Sequence, residues 1–214
     1  MQVIDLTHRI TPDMPVYPGT EGPRLIPANT YEANGFRETL LSFYSHTGTH
    51  MDAPAHLYPD GATLDRFPAS HFVGRAVVAD CSDLGAGQRI PLGRVASRLE
   101  STSAEFLLLR TGWDCFWGRP EYFGDYPVLT EEAAQWLAER RVKGVGLDVI
   151  GLDPVADEAL TLHRIVLRTG ATVIIENLKG LHRLGEGVFT LCVLPLNQED
   201  ADGAPIRAVA LLDE

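Results

Sequence analysis

The sequence predicts a mixed α/β fold with a β-rich core. Three observations predict it. Short aliphatic and β-branched runs recur along the chain and read as strands. Only two segments carry clear helical signals, and each of them leads straight into a strand. A length of 214 residues sets the expectation of one domain over residues 1–214, with residues 11–36 as a proline-rich N-terminal arm.

The arm has prolines at positions 12, 15, 18, 23 and 27. Its aromatics, Tyr17, Tyr31 and Phe36, give it something to bury, so it reads as ordered. Residues 37–45 follow as a strand, then 72–80, then 104–110 with its Phe106-Leu107-Leu108-Leu109 run. Thr130 is a candidate N-cap for a helix reaching about Arg141, because acids occupy the first turn after it. Residues 142–147 are the next buried strand. Residues 156–168 read as a helix closed by Gly170. Strands at 171–176, 188–196 and 206–212 complete the chain.

Composition excludes some classes. Hydrophobic residues make up 45% and charged residues 22%, which is globular rather than disordered or fibrous. The formal charge of -11 argues against a nucleic-acid or anionic-membrane partner and by itself favours no specific function; the partner expected is a small-molecule substrate. Cys81, Cys115 and Cys192 are scattered singly and read as idle thiols in a reducing cytosol. The opening residues lack the pattern of a secretory signal, and no apolar run approaches a membrane span, so the expected location is the cytoplasm. There is no G-x-S-x-G nucleophile elbow, and Gly85-Ala86-Gly87 and Gly185-Glu186-Gly187 read as turns.

The chemistry concentrates in residues 46–56. His46, His50 and His56, three of seven histidines, fall within eleven residues, with Asp52 among them. Imidazole and carboxylate are ligands that zinc and manganese accept. The four positions share one parity and would point to one face of a strand. A straight strand would put His46 and Asp52 roughly 20 Å apart, too far for donors about 2 Å from one ion. The chain must therefore bend, and Gly48 and Pro54 are the residues that permit it. A lone histidine here would read as a capping residue of a polar loop; four spaced donors around a glycine read as a site. His163 and Glu176 form a second pair. The helix runs about 10 Å beyond His163, and the next strand returns about 13 Å to Glu176. If the two pack antiparallel, both side chains end at one level. A purely structural metal site would be closed by four ligands, and this set is larger.

His46-Thr47-Gly48-Thr49-His50-Met51-Asp52-Ala53-Pro54-Ala55-His56 resembles the signature of the cyclase family of metal-dependent hydrolases, whose members include bacterial kynurenine formamidase (arylformamidase) and isatin hydrolase. Asp5-Leu6-Thr7-His8, Met14-Pro15-Val16-Tyr17-Pro18-Gly19, Leu109-Arg110-Thr111-Gly112-Trp113, Leu152-Asp153-Pro154, Glu176-Asn177-Leu178, and the stretch Asp202-Gly203-Ala204-Pro205-Ile206-Arg207 are similar to further family segments in the same order. The resemblance implies that His46, His50 and Asp52 bind a metal, that Asp52 is placed to bridge to a second ion, and that His163 and Glu176 complete the set. It makes His56 the acid/base residue and Tyr17 a wall against the substrate, where formamidases typically carry Trp. It implies a swivelling β/β/α fold, a homodimer or higher oligomer with the arm reaching the neighbouring subunit, and Zn²⁺ (one or two per chain) or Mn²⁺ as cofactor. The implied activity is hydrolysis of a C–N bond, that of N-formyl-L-kynurenine in tryptophan catabolism or of a related aryl amide. The alternatives are isatin hydrolase-like opening of a cyclic amide and a metal-dependent cyclase or dehydratase. Asp148-Val149-Ile150-Gly151-Leu152-Asp153-Pro154 departs from the Asp-Thr-Pro-Ser-Leu-Asp-Pro of formamidases.

Overall fold

A computed structural model describes residues 1–212. In chain order the strands are β1 (Gln2–Asp5), β2 (Arg24–Asn29), β3 (Glu38–Ser42), β4 (His50–Asp52), β5 (Val73–Asp80), β6 (Arg89–Ile90), β7 (Phe106–Arg110), β8 (Val128–Leu129), β9 (Gly144–Leu147), β10 (Val173–Glu176), β11 (Phe189–Cys192), β12 (Gly203–Pro205) and β13 (Val209–Leu212). The α-helices are α1 (Tyr31–Asn34), α2 (Leu92–Glu100), α3 (Glu131–Arg140) and α4 (Thr161–Leu167).

Nine strands form one curled sheet in the order β1-β13-β11-β5-β7-β9-β10-β4-β12. Its centre, β5-β7-β9-β10, is parallel, and helices α2, α3 and α4 lie in the crossovers between these strands. The flanks are antiparallel: β11, β13 and β1 on one side, β4 and β12 on the other. Alternate residues of the central strands enter two different cores. Val77, Leu107, Leu109, Val145 and Ile174 pack with Val95, Leu137 and Val166 of the helices. Val78, Phe106, Leu108 and Ile175 pack with Ile4, Met51, Leu191 and Ala210 of the flanks. Burial on both faces explains why these strands are apolar without alternation. Close packing also fixes β9 as Gly-Val-Gly-Leu: a Cβ on Gly146 would stand 2.8 Å from Leu178 Cδ1 and closer still to Leu108 Cδ2.

Several boundaries differ from expectation. The helix expected over 156–168 begins only at Thr161. Leu160 before it adopts left-handed backbone (φ 52°), and Asp157 draws the preceding turn onto its carboxylate through Ala159 N. The arm is irregular only to residue 23. Its remainder forms β2 and α1, and β2 pairs with β3 as a separate two-stranded sheet. The strand expected over 188–196 stops at Cys192, before Pro195. Helix α2 has no counterpart among the elements the sequence predicts; it carries no N-capping side chain and opens after Pro91. Thr130 caps α3 as read, accepting from Ala133 N at 3.2 Å.

Candidate metal centre

Strand β4 is the frame of the site. It lies between β10 and β12, with His50 opposite Glu176 on one side and Asp52 opposite Gly203 on the other. The chain reaches β4 through Gly48, whose φ of +65° makes the bend that the spacing demands. The Gly48 carbonyl accepts from His50 Nδ1 at 2.8 Å and from Asn177 Nδ2 at 2.9 Å. His50 Nε2 is thereby turned inward, 3.2 Å from Asp52 Oδ1 and 3.4 Å from Glu176 Oε2.

Two further histidines converge on the same carboxylates. His46 places Nδ1 2.7 Å from Asp52 Oδ1 and Nε2 2.9 Å from Asp202 Oδ2. His163, on α4, has Nδ1 2.6 Å from Asp153 Oδ2 and Nε2 3.1 Å from Glu176 Oε1, with Asp52 Oδ2 at 3.6 Å. Asp153 also accepts from the backbone N–H groups of Leu162 and His163, so it starts α4 and aims its histidine at once. Asp52 is the junction: Oδ1 faces His46 and His50, and Oδ2 faces His163. His56 follows in a short 3₁₀ turn after Pro54. Its ring lies 4.1 Å from that of His46, and its Nδ1 is 3.8 Å from Asp202 Oδ2.

The electrostatics favour a cation. Burial works against charge on His46, yet the Asp52 and Asp202 carboxylates raise it to about 10. His163 is held well above its ordinary value against burial by Asp153, Asp52 and Glu176. Asp52, for which burial alone would favour the neutral acid, is held well below the usual carboxylate range by His46 and His50. The hydrogen bond from His46 brings Asp202 down to about 2. Burial lowers His56, which leaves its imidazole neutral near pH 7.

The donor set also passes a test of fit to a divalent ion. His50 Nε2 is buried with no hydrogen-bond partner while carboxylate oxygens flank it. Ligand atoms of His46, His50 and Asp52, of Asp52, His163 and Glu176, and of His46, His56 and Asp202 each lie within 4.8 Å of one another. These groups are N/O donors of the kind zinc and manganese accept. They open into a cavity of about 610 Å³, walled by Val16, Tyr17, Ile150 and Leu160, and no lysine or arginine is among the described residues lining it. Tyr17 is partly exposed there, with its hydroxyl 3.4 Å from the Val155 carbonyl oxygen.

The structure thus brings together His46, His50, Asp52, His56, His163 and Glu176, with Tyr17 across the cavity. Three groups had no role in the sequence reading: Asp202, Asp153 and Asn177. Each lies in a segment that the family resemblance picked out, and that was the only signal for them.

Residues 4–154 match the model of the Cyclase family, described as "Putative cyclase". The chain is 31% identical over 208 residues to the kynurenine formamidase of Bacillus thuringiensis (strain Al Hakam), covering 96% of this chain and 95% of that one. It is 32% identical over 216 residues to the kynurenine formamidase of Bacillus mycoides (strain KBAB4), covering 97% and 96%. Its fold is similar to that of isatin hydrolase A from Labrenzia aggregata bound to benzyl benzoate, with a TM-score of 0.86 at 27% identity, covering 100% of this chain and 94% of that one.

Proposed function

The chain belongs to the cyclase family, and on that premise we propose that it is a metal-dependent amidohydrolase that cleaves an N-formyl aryl amide, as a kynurenine formamidase does with N-formyl-L-kynurenine. The observation that carries this reading is the junction at Asp52, one carboxylate with a donor group on each side. His46, His50 and Asp52 would hold one divalent ion, Zn²⁺ or Mn²⁺, and Asp52, His163 and Glu176 a second. Such an ion supplies Lewis acidity: it polarises a carbonyl and lowers the pKa of water from 15.7 towards about 7.

The chain's own residues do the rest. His56 is neutral at pH 7 and faces the cavity, so a ring nitrogen can take a proton from the attacking water and return it to the departing amine. Tyr17 and Ile150 offer apolar surface to an aromatic ring. Opening of a cyclic amide is the second reading, favoured by the similarity to isatin hydrolase A along the whole chain. We assign the protein to the cytoplasm and to a homodimer or higher oligomer. Cys81, Cys115 and Cys192 are free thiols, and no helix of the described residues is long and apolar enough to cross a membrane.

Dialysis against a chelator should abolish hydrolysis, and Zn²⁺ or Mn²⁺ should restore it. N-formylkynurenine, N-formylaniline and isatin, run side by side, separate the two readings. Metal content at saturation should approach two ions per chain, and Glu176→Gln should lose one. Full activity in rigorously metal-free protein would refute the proposal.

A further inference from the structure

The metal assignment leaves the Asp202 carboxylate, which lines the same cavity, without a task. The residue immediately precedes β12, and the pairing of β12 with β4 brings it into fixed register with the metal motif. Gly203 pairs with Asp52, and the Asp202 carbonyl accepts from Ala53 N at 2.9 Å. The Asp202 side chain then reaches the outer edge of His46, with Oδ2 2.9 Å from Nε2, and Ser45 Oγ donates to the same oxygen at 3.3 Å. The inner edge of the ring, Nδ1, faces Asp52 at 2.7 Å. Gly203 makes room for the ring. A Cβ there would stand 2.6 Å from His46 Cε1 and 2.8 Å from Nε2, a contact that only movement of the imidazole would relieve.

Resting on the metal-centre reading above, we propose that Asp202 and Gly203 form a cradle for His46, which offers Nδ1 to the ion while Asp202 holds Nε2–H. Asp202 is thus a positioning residue and not a ligand. Two observations separate these roles. Asp52 is fully buried and touches donors on both sides, whereas the Asp202 side chain is 47% exposed and lies beyond the ring. An imidazole also gives only one nitrogen to one ion, and the other N–H then needs an acceptor, for which carboxylates are commonly used. The Asp-Gly dipeptide is explained in one step: the aspartate grips the ring, and the glycine leaves the space in which the ring lies.

The test is affinity for Zn²⁺ and Co²⁺, measured by chelator competition on the intact chain. Asp202→Ala should weaken binding about 10–100-fold. Asp202→Asn should lose less, because its amide oxygen still accepts from Nε2–H. Gly203→Ala should weaken binding although Asp202 is intact. The deciding measurement is the cycle with His46→Ala: in that background Asp202→Ala should cost nothing more. Circular dichroism and melting of the metal-free variants check that the fold is kept, and Asp202→Asn serves if Gly203→Ala fails to fold. A full Asp202→Ala penalty persisting in the His46→Ala background would make Asp202 a ligand and overturn the proposal. Unchanged affinity in Asp202→Ala would overturn it as well. A wild-type chain that takes up no ion would overturn the metal-centre reading itself, and the cradle with it.

Discussion

The Gly48 carbonyl accepts from both His50 and Asn177, and Tyr122 donates to the other end of the Asn177 amide at 2.7 Å. A buried chain of neutral hydrogen bonds therefore decides which nitrogen His50 presents. Among the described residues His56 has no such partner: Asp202 Oδ2 is 3.8 Å from its Nδ1, so the ring keeps the freedom that proton transfer needs. His56→Ala should lower kcat by roughly 10²–10⁴ while metal content stays at the wild-type level, which parallel assays and metal analysis would check. A second residue-scale prediction concerns stability. His8 is buried against Trp117, with ring centroids 3.8 Å apart, and its Nε2 has no hydrogen-bond partner. Burial, helped by Lys179, pushes the imidazole down to about 4. The folded protein then keeps His8 neutral while the unfolded chain protonates it near pH 6.5. The unfolded state binds more protons between those values, so stability falls as pH drops from about 6.5 towards 4. His8→Phe keeps a ring on Trp117 and removes the titration. Its stability loss between pH 7 and pH 5 in urea melts should be smaller than the wild type's by about 2 kcal/mol. The histidine spacing was legible in the sequence because donor chemistry and parity are local properties. Asp202 was not legible as a site residue, because an Asp-Gly step far from the motif reads as a turn until β12 is placed beside β4.

Elements with a local cause were legible, and those made by packing were not. Thr130 and the acids after it announce α3, and the β-branched run at 173–176 announces β10. The helix through His163 is shorter than its composition predicts: Ala156 to Leu160 suits a helix, but Asp157 caps a turn there instead. Helix α2 lacks a capping side chain and holds a glycine at its second position, so propensity alone gives it little support. The two glycines of β9 read as weakness in a strand, yet the packing demands them: a Cβ on Gly144 would stand 2.9 Å from Phe106 Cδ1, and one on Gly146 would press on Leu108 and Leu178. Gly146→Ala should therefore destabilise the protein by about 1–3 kcal/mol through overpacking, seen as a lower urea midpoint at an unchanged slope. Gly93→Ala, at an open position on α2, should be neutral or stabilising and serves as the control.

Over the whole molecule, the parallel centre of the sheet follows from strands alternating with helices, whereas the antiparallel flanks join distant parts of the chain. Gln2 pairs with Leu212, and Asp52 with Gly203, and no local pattern announces partners so far apart. The β2–β3 hairpin stands outside this sheet, since among the described residues its strands pair only with each other. A lone two-stranded hairpin is marginal in water. This one nonetheless carries Leu25, Ile26, Leu40 and Leu41, with Phe36 at its turn, all exposed. Apolar side chains gathered in this way mark an association surface. The homo-oligomer proposed above would cover this surface with a second copy of the chain: β3 ends at Ser42, and Tyr44 and Ser45, just beyond it and just before His46, line the cavity. Light scattering at micromolar concentration should therefore give the mass of two or more chains. The double change Leu40→Glu with Leu41→Glu should give the mass of one. Association also links stability to concentration, so the wild-type Tm should rise with protein concentration and that of the double variant should not. A wild-type chain that stays monomeric, with a Tm independent of concentration, would leave the hairpin's apolar surface to some other partner and refute self-association.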